Sequence, residues 1–184
     1  ENRMRFPLEV VEAVRATLSD DVPLFVRLSA IDGIEGGWTL DDSITFSAEL
    51  KKRGVDVIDC SSGGVVGAPR FKVCDSGKAL TTTSARQPGF QGPLSEGIKH
   101  KTDAGKGIKT MAVGVIIDFD QAEEILQKDE ADFVALGREL MYNPFWVLHA
   151  AQHFGIDDKC AMWPQQYGWA VNRRNQIAQY NKEH

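Results

Sequence analysis

The sequence predicts an α/β protein built on a parallel sheet. Three observations point there: short apolar runs stand at 22–30, 55–64, 108–116 and 132–137, segments of helical period separate them, and capping residues or glycine turns mark the junctions. Strands apolar on both faces and divided by amphipathic helices imply βαβ units, with the sheet covered on both sides.

Each element has its own local reason. Residues 3–18 put Phe6, Val10, Val11, Val14 and Leu18 on one helical face, with Pro7 tolerated in the first turn. VPLFVRLSA (22–30) reads as a strand. TLDDSITFSAELKKRG (39–54) reads as a helix, because Thr39 and Asp42 match a capping box and Gly54 stands where a C-cap glycine belongs. Asp41 and Asp42 therefore fit capping better than acid–base chemistry. VDVIDCSSGG (55–64) is a second strand entering a glycine turn. An inserted loop follows at about 65–95; its stretch 65–87 is rich in Gly, Ser, Thr and Lys and reads either as a cover over a substrate pocket or as a surface insertion. IKTMAVGVI (108–116) is the third strand, DFDQAEEILQK (118–128) a helix with Asp118 as N-cap, and DFVALG (132–137) the fourth strand. NPFWVLHAAQHFG (143–155) makes a last long helix, and the tail 156–184 has little apolar period. The expected organisation is thus a domain over 1–155 and a tail over 156–184. Four βα units fit either half of a (β/α)8 barrel or a small doubly wound sheet, and periodicity leaves both open.

Composition removes several function classes. Twenty-one Lys and Arg against 26 Asp and Glu, a net charge of −5, offer no footprint for nucleic acid. No apolar run approaches the ~20 residues that cross a bilayer, so no membrane role is expected. Cys60, Cys74 and Cys160 are too few and too irregularly spaced for a disulfide framework or a zinc site, which fits a reducing compartment, the cytoplasm. His149 and His153 lie four apart, but no carboxylate or cysteine is placed to complete a metal site, and none is expected. Cys60 reads as packing. The chain opens on Glu1 directly into a helix, so a start inside a larger fold is expected.

The strand ends carry the chemistry, since ligands of parallel α/β folds gather at the carboxyl ends. Arg27 is a permanent charge inside LFVRLS, which calls for an anionic or polar partner: a ligand, or a carboxylate on a neighbouring strand. The third strand ends in AVG (112–114), and the fourth in Gly137 followed by Arg138. Glycine at a strand end lets a ligand approach backbone N–H groups, and a neighbouring guanidinium matches phosphate. A turn glycine with a solvated arginine is the plainer alternative at either strand alone.

These residues stand within a longer set. ENRMRFPLEVVEAVRA, VPLFVRLSAIDGIEGGWTLDDS, GVDVIDCSSGG, PGFQ (88–91), TMAVGVI, AEEIL, ADFVALGRELMYNPFW and WPQQY together resemble the second half of the Old Yellow Enzyme family, nearest its thermophilic-like ene-reductase branch. The resemblance implies a (β/α)8 barrel of which this chain supplies strands five to eight. It implies FMN, with NADPH or NADH as hydride donor and an activated alkene such as an enone as substrate. It assigns Arg27 to the flavin's pyrimidine edge and Gly114, Gly137 and Arg138 to the phosphate, with Val113 beside them. It also implies a homo-oligomer whose tail reaches a neighbouring subunit; where many members carry an arginine after the QY pair, Trp169 stands here and suggests an aromatic wall. The family's substrate-binding His/His or His/Asn pair and tyrosine proton donor belong to the first half of the barrel, so no catalytic residue is assigned within this chain. A complementary amino-terminal half, from the same gene product or a separate chain, is the expected partner. Two rivals stand beside this reading. A phosphate-gripping isomerase or aldolase needs Lys or Glu catalysis inside the strands, where Arg27, Asp56 and Asp59 stand; a non-catalytic half-barrel would act in assembly with a partner chain.

Overall fold

A computed structural model describes residues 1–63, 89, 91–102 and 108–183, and the chain divides into two compact units, Glu1–Leu136 and Gly137–His184. The stretch 65–87 of the expected insertion lies outside the described residues.

The first unit runs α1 (Asn2–Thr17), β1 (Phe25–Ser29), α2 (Leu40–Lys52), β2 (Val57–Ser61), α3 (Gly92–Lys101), β3 (Lys109–Val113), α4 (Phe119–Gln127) and β4 (Phe133–Ala135). The strands form one parallel sheet in the order β1-β2-β3-β4. A doubly wound sheet reverses its order at a switch point, and these four strands contain no reversal.

Alternation along the strands sorts residues onto two faces. Leu28, Ile58 and Cys60 pack with Val11 of α1, Phe46 and Leu50 of α2, and Leu94 and Ile98 of α3 into one core. Phe25, Arg27 and Ser29 point the other way, in register with Val57, Asp59 and Ser61. That second face was expected to be covered. Instead its flanks are open: Phe25 is 47% exposed and Phe133 43%, while Val57 and Asp59 on β2 between them are buried. α1 departs from expectation in the same sense. Its predicted apolar face is split: Val11 is buried, with Met4 and Leu8 packed against the core, whereas Phe6 is 73% exposed and Val10 and Val14 are exposed beside it.

The caps form as their sequences imply. Thr39 accepts the Asp42 N–H at 3.2 Å while Asp42 accepts the Thr39 N–H at 3.0 Å, and Asp118 accepts the Gln121 N–H at 3.1 Å. α3 was not expected, and begins inside the stretch read as a loop; Pro93 in its first turn and Leu94 and Ile98 four apart are the signals that mark it.

Polar bonds tie the amino ends of the strands. The Leu24 N–H donates to Asp56 at 2.7 Å. Asp132 accepts from the Thr110 N–H at 2.9 Å and pairs with Lys109 at 3.0 Å and Lys99 at 3.3 Å. Burial raises the Asp132 pKa, but the Thr110 N–H and the two ammonium groups outweigh it and hold the carboxyl below the usual carboxylate range.

The second unit contains α5 (Arg138–Tyr142), α6 (Trp146–His153) and α7 (Gln165–Glu183). Trp146, Ala151, Cys160 and Trp163 are its buried apolar residues. The tail, read as a segment of little apolar period, contains a 19-residue helix. Its Gln, Arg and Ala residues favour helix without writing an apolar stripe. Buried Asp157 organises the approach, accepting the N–H groups of Ala161 at 2.6 Å and Met162 at 3.0 Å. Gly168 brings α7 against the preceding turn, where a Cβ would lie 2.8 Å from the Cys160 carbonyl oxygen. Among the described residues no helix is long and apolar enough to cross a membrane.

Candidate functional site

In the first unit, Arg27 projects from the centre of β1 onto the face that the helices do not cover. Its register partner on β2 is Asp59. Arg27 Nε donates to Asp59 Oδ2 at 2.8 Å, and Nη2 forms an ion pair with the same oxygen, also at 2.8 Å. The carboxylate partner considered for Arg27 is therefore present. The Arg27 side chain nevertheless remains 60% exposed against 13% for Asp59, so part of the guanidinium is available to a ligand. Asp59 Oδ1 is buried and has no partner among the described residues. Both strand residues were visible in the sequence; their pairing depends on register, which the sequence does not state. Cys60, next along β2, points into the helix-facing core. Burial foremost, and then the Asp59 charge, push its thiol up to about 12, so it stays protonated and serves as packing.

The carboxyl end of β3 has an unusual backbone. Gly114 has φ +120 and Val115 φ +53. The first is a conformation that side chains rarely adopt, and the second is an outlier for a β-branched residue. Three contacts hold this turn: the Gly89 N–H donates to Gly114 O at 3.1 Å and Val115 O at 3.3 Å, and Gln121 Nε2 donates to Val115 O at 3.3 Å. Gln91 was noted only as part of PGFQ. With its amide oxygen and nitrogen assigned in the orientation that satisfies both, buried Gln91 joins two strand ends, donating to Val113 O at 2.6 Å and accepting from the Ser62 N–H at 3.0 Å and its hydroxyl at 2.5 Å. Val113 itself is half-buried and, by alternation, shares the face of Met111 and Arg27. β3 and β4 end level, Val113 opposite Ala135.

In the second unit, Gly137 precedes α5 with φ −107, a value open to any residue, and a Cβ there would meet nothing within 4 Å. A glycine leaves that space open. Arg138 is exposed and has no ion pair among the described residues. Trp169 lies on α7, 69% exposed. His149 bonds Asn143 Oδ1 through Nδ1 at 3.1 Å and meets the Trp163 ring edge-on. Among the described residues no group of three or more His, Cys, Asp or Glu gathers to hold a metal.

Residues 1–156 match the family described as NADH:flavin oxidoreductase / NADH oxidase. The chain is 43% identical over 155 residues to an NADPH dehydrogenase of Halalkalibacterium halodurans, covering 84% of this chain and 40% of that protein. It is 42% identical over 171 residues to an NADPH dehydrogenase of Geobacillus thermodenitrificans, covering 92% of this chain and 44% of that one. The match thus spans less than half the length of these relatives. A solved structure described as a 2-naphthoyl-CoA reductase–2-naphthoyl-CoA complex superposes with a TM-score of 0.63 over 86% of this chain and 22% of its own, at 23% identity, a likeness of fold.

Proposed function

Because the chain belongs to the NADH:flavin oxidoreductase / NADH oxidase family, we propose that it supplies strands five to eight of a (β/α)8 barrel that binds FMN and reduces the activated C=C bond of an enone-type substrate with hydride from NAD(P)H. The observation that carries this reading is the uncovered sheet face bearing Arg27. The strands run in sequential parallel order with helices packed on one side, and the other side leaves Phe25 and Phe133 in solvent. In a closed barrel that face is interior. The split apolar surface of α1 supports the same conclusion, since neighbouring barrel helices pack side by side. A complementary amino-terminal half would cover both, and a match to less than half of each relative supports one.

FMN, when bound, supplies the hydride acceptor from NAD(P)H and the donor to the alkene. The residues present fit such a group. Arg27 offers guanidinium N–H donors to the pyrimidine edge, where a fixed cation stabilises negative charge. Gly114, whose φ suits only glycine, follows β3. Gly137, with open space where a Cβ would be, and Arg138, with no ion pair among the described residues, follow β4. These are the proposed holders of the phosphate, through backbone N–H groups and a guanidinium fork. Val113 faces the ring system, and Trp169 supplies an aromatic wall, reaching a neighbouring subunit in a homo-oligomer. The groups that bind the substrate carbonyl and deliver the proton are assigned to the complementary half. Free Cys60 and Cys160 suit a reducing cytoplasm.

The same exposed apolar faces also suit a non-catalytic assembly module, and one experiment separates the two. The chain combined with its complementary half is expected to show the visible absorption of bound oxidised flavin and to reduce an enone with NAD(P)H, while the chain alone is inactive. A colourless complex would support the assembly module, and robust turnover by the isolated chain would remove the need for the second half.

A further inference from the structure

We propose that Asp59 is a positioning residue that orients Arg27 and offsets its charge, setting how strongly Arg27 favours reduced flavin. The proposal rests on the FMN reading above.

The geometry is one-sided. Two of the three guanidinium nitrogens, Nε and Nη2, converge on a single Asp59 oxygen at 2.8 Å. Fixing two nitrogens of a rigid plane fixes the plane, so the direction of the remaining nitrogen, Nη1, is set by Asp59. Nη1 has no partner among the described residues. Arg27 lies on an open face, and without Asp59 its long side chain would be free to move. Adjacent-strand register supplies the pairing: Arg27 and Asp59 sit opposite each other in the parallel β1–β2 ladder, on the same face of the sheet.

Stability does not explain the carboxylate. Asp59 is buried, and its Oδ1 has no donor among the described residues. A buried carboxylate with an unsatisfied oxygen is a poor contributor to folding compared with an apolar residue of similar volume. Its neighbours on that face of the sheet include apolar Val57 and Met111 as well as Ser61. What the carboxylate does accomplish is to hold the guanidinium and to cancel part of its field. An offset cation stabilises an anionic ring less than a bare one, so Asp59 holds the flavin potential below the value Arg27 alone would give.

Two readouts test this. In the chain by itself, the Arg27 Nε–H signal in NMR is expected to exchange slowly with water, and faster in Asp59→Asn; fast exchange in the unsubstituted chain would overturn the orienting role even if the variant failed to fold. In the assembled flavoprotein, Asp59→Asn is expected to shift the flavin midpoint potential upward by about 30 mV, a tenfold change in a two-electron equilibrium. In an Arg27→Ala background the same substitution is expected to give less than half that shift, because Asp59 acts through Arg27. An unchanged potential, or an equal shift in both backgrounds, overturns the proposal while leaving the flavin reading intact. Failure of the unsubstituted assembly to bind flavin overturns both.

Discussion

Arg27 and Arg138 are both assigned to FMN, yet the structure makes opposite forecasts for their loss. Arg138 is exposed and has no ion pair among the described residues, so Arg138→Ala strands no partner. A charge-assisted hydrogen bond contributes about 1.5–3 kcal/mol. Its loss therefore weakens FMN binding by about 10- to 150-fold, with a change in apo-protein stability within about 0.5 kcal/mol. Arg27→Ala removes the sole described partner of Asp59, whose side chain is 13% exposed. Breaking a fully buried pair costs about 3–5 kcal/mol. Because the Arg27 side chain is 60% exposed, water offsets much of that, leaving about 1–2 kcal/mol. For a chain of 184 residues this lowers Tm by about 2–8 °C. Arg27→Ala also lowers the flavin potential and weakens binding less than Arg138→Ala does. Flavin-fluorescence titration, thermal melts and a redox titration of the two variants measure these effects. FMN affinity within twofold of the unsubstituted protein in Arg138→Ala, or a melt of Arg138→Ala below that of Arg27→Ala, would refute the reasoning.

Three further outcomes follow from the local geometry. Gly137→Ala is expected to weaken FMN binding by filling the cradle, since a Cβ there takes up space that is now open; unaltered affinity removes Gly137 from the site. Gly114→Ala places a side chain at φ +120 and is expected to cost about 1–3 kcal/mol in urea denaturation, and a silent substitution would show the turn to be relaxed. The pKa of Asp132, held below the usual carboxylate range, means that the folded state binds the proton less readily than the unfolded one. Its contribution is complete above about pH 4 and is lost as pH falls through the lower folded value. Asp132→Asn should flatten that part of the stability–pH curve, and an unchanged acid limb would contradict the network.

What was legible beforehand was local. Thr39 with Asp42, and Asp118 with Gln121, define helix starts within four residues, and both caps form. The four strands were readable because each is a short apolar run. Register was not, and it is register that pairs Arg27 with Asp59; a slip of one residue would send one of them to the opposite face. α7 escaped notice because a helix with no continuous buried stripe writes no 3.6-residue period, although Gln, Arg and Ala support it. α1 misled in the opposite way. Its sequence shows more apolar surface than the described residues of its own unit cover, and Phe6, Val10 and Val14 stay exposed. At the candidate site, Gly137 and Arg138 were recognisable by type, whereas the Gln91 bridge between Ser62 and Val113 depends on a tertiary approach that sequence spacing does not encode.

The most direct measurement is a crystal structure of the chain assembled with its complementary half and soaked with FMN. The account predicts the phosphate within hydrogen-bond distance of the Arg138 guanidinium and the N–H groups at Gly114 and Gly137, with Arg27 at the pyrimidine edge and still bonded to Asp59. A flavin phosphate bound elsewhere, with Arg138 directed into solvent, would contradict it.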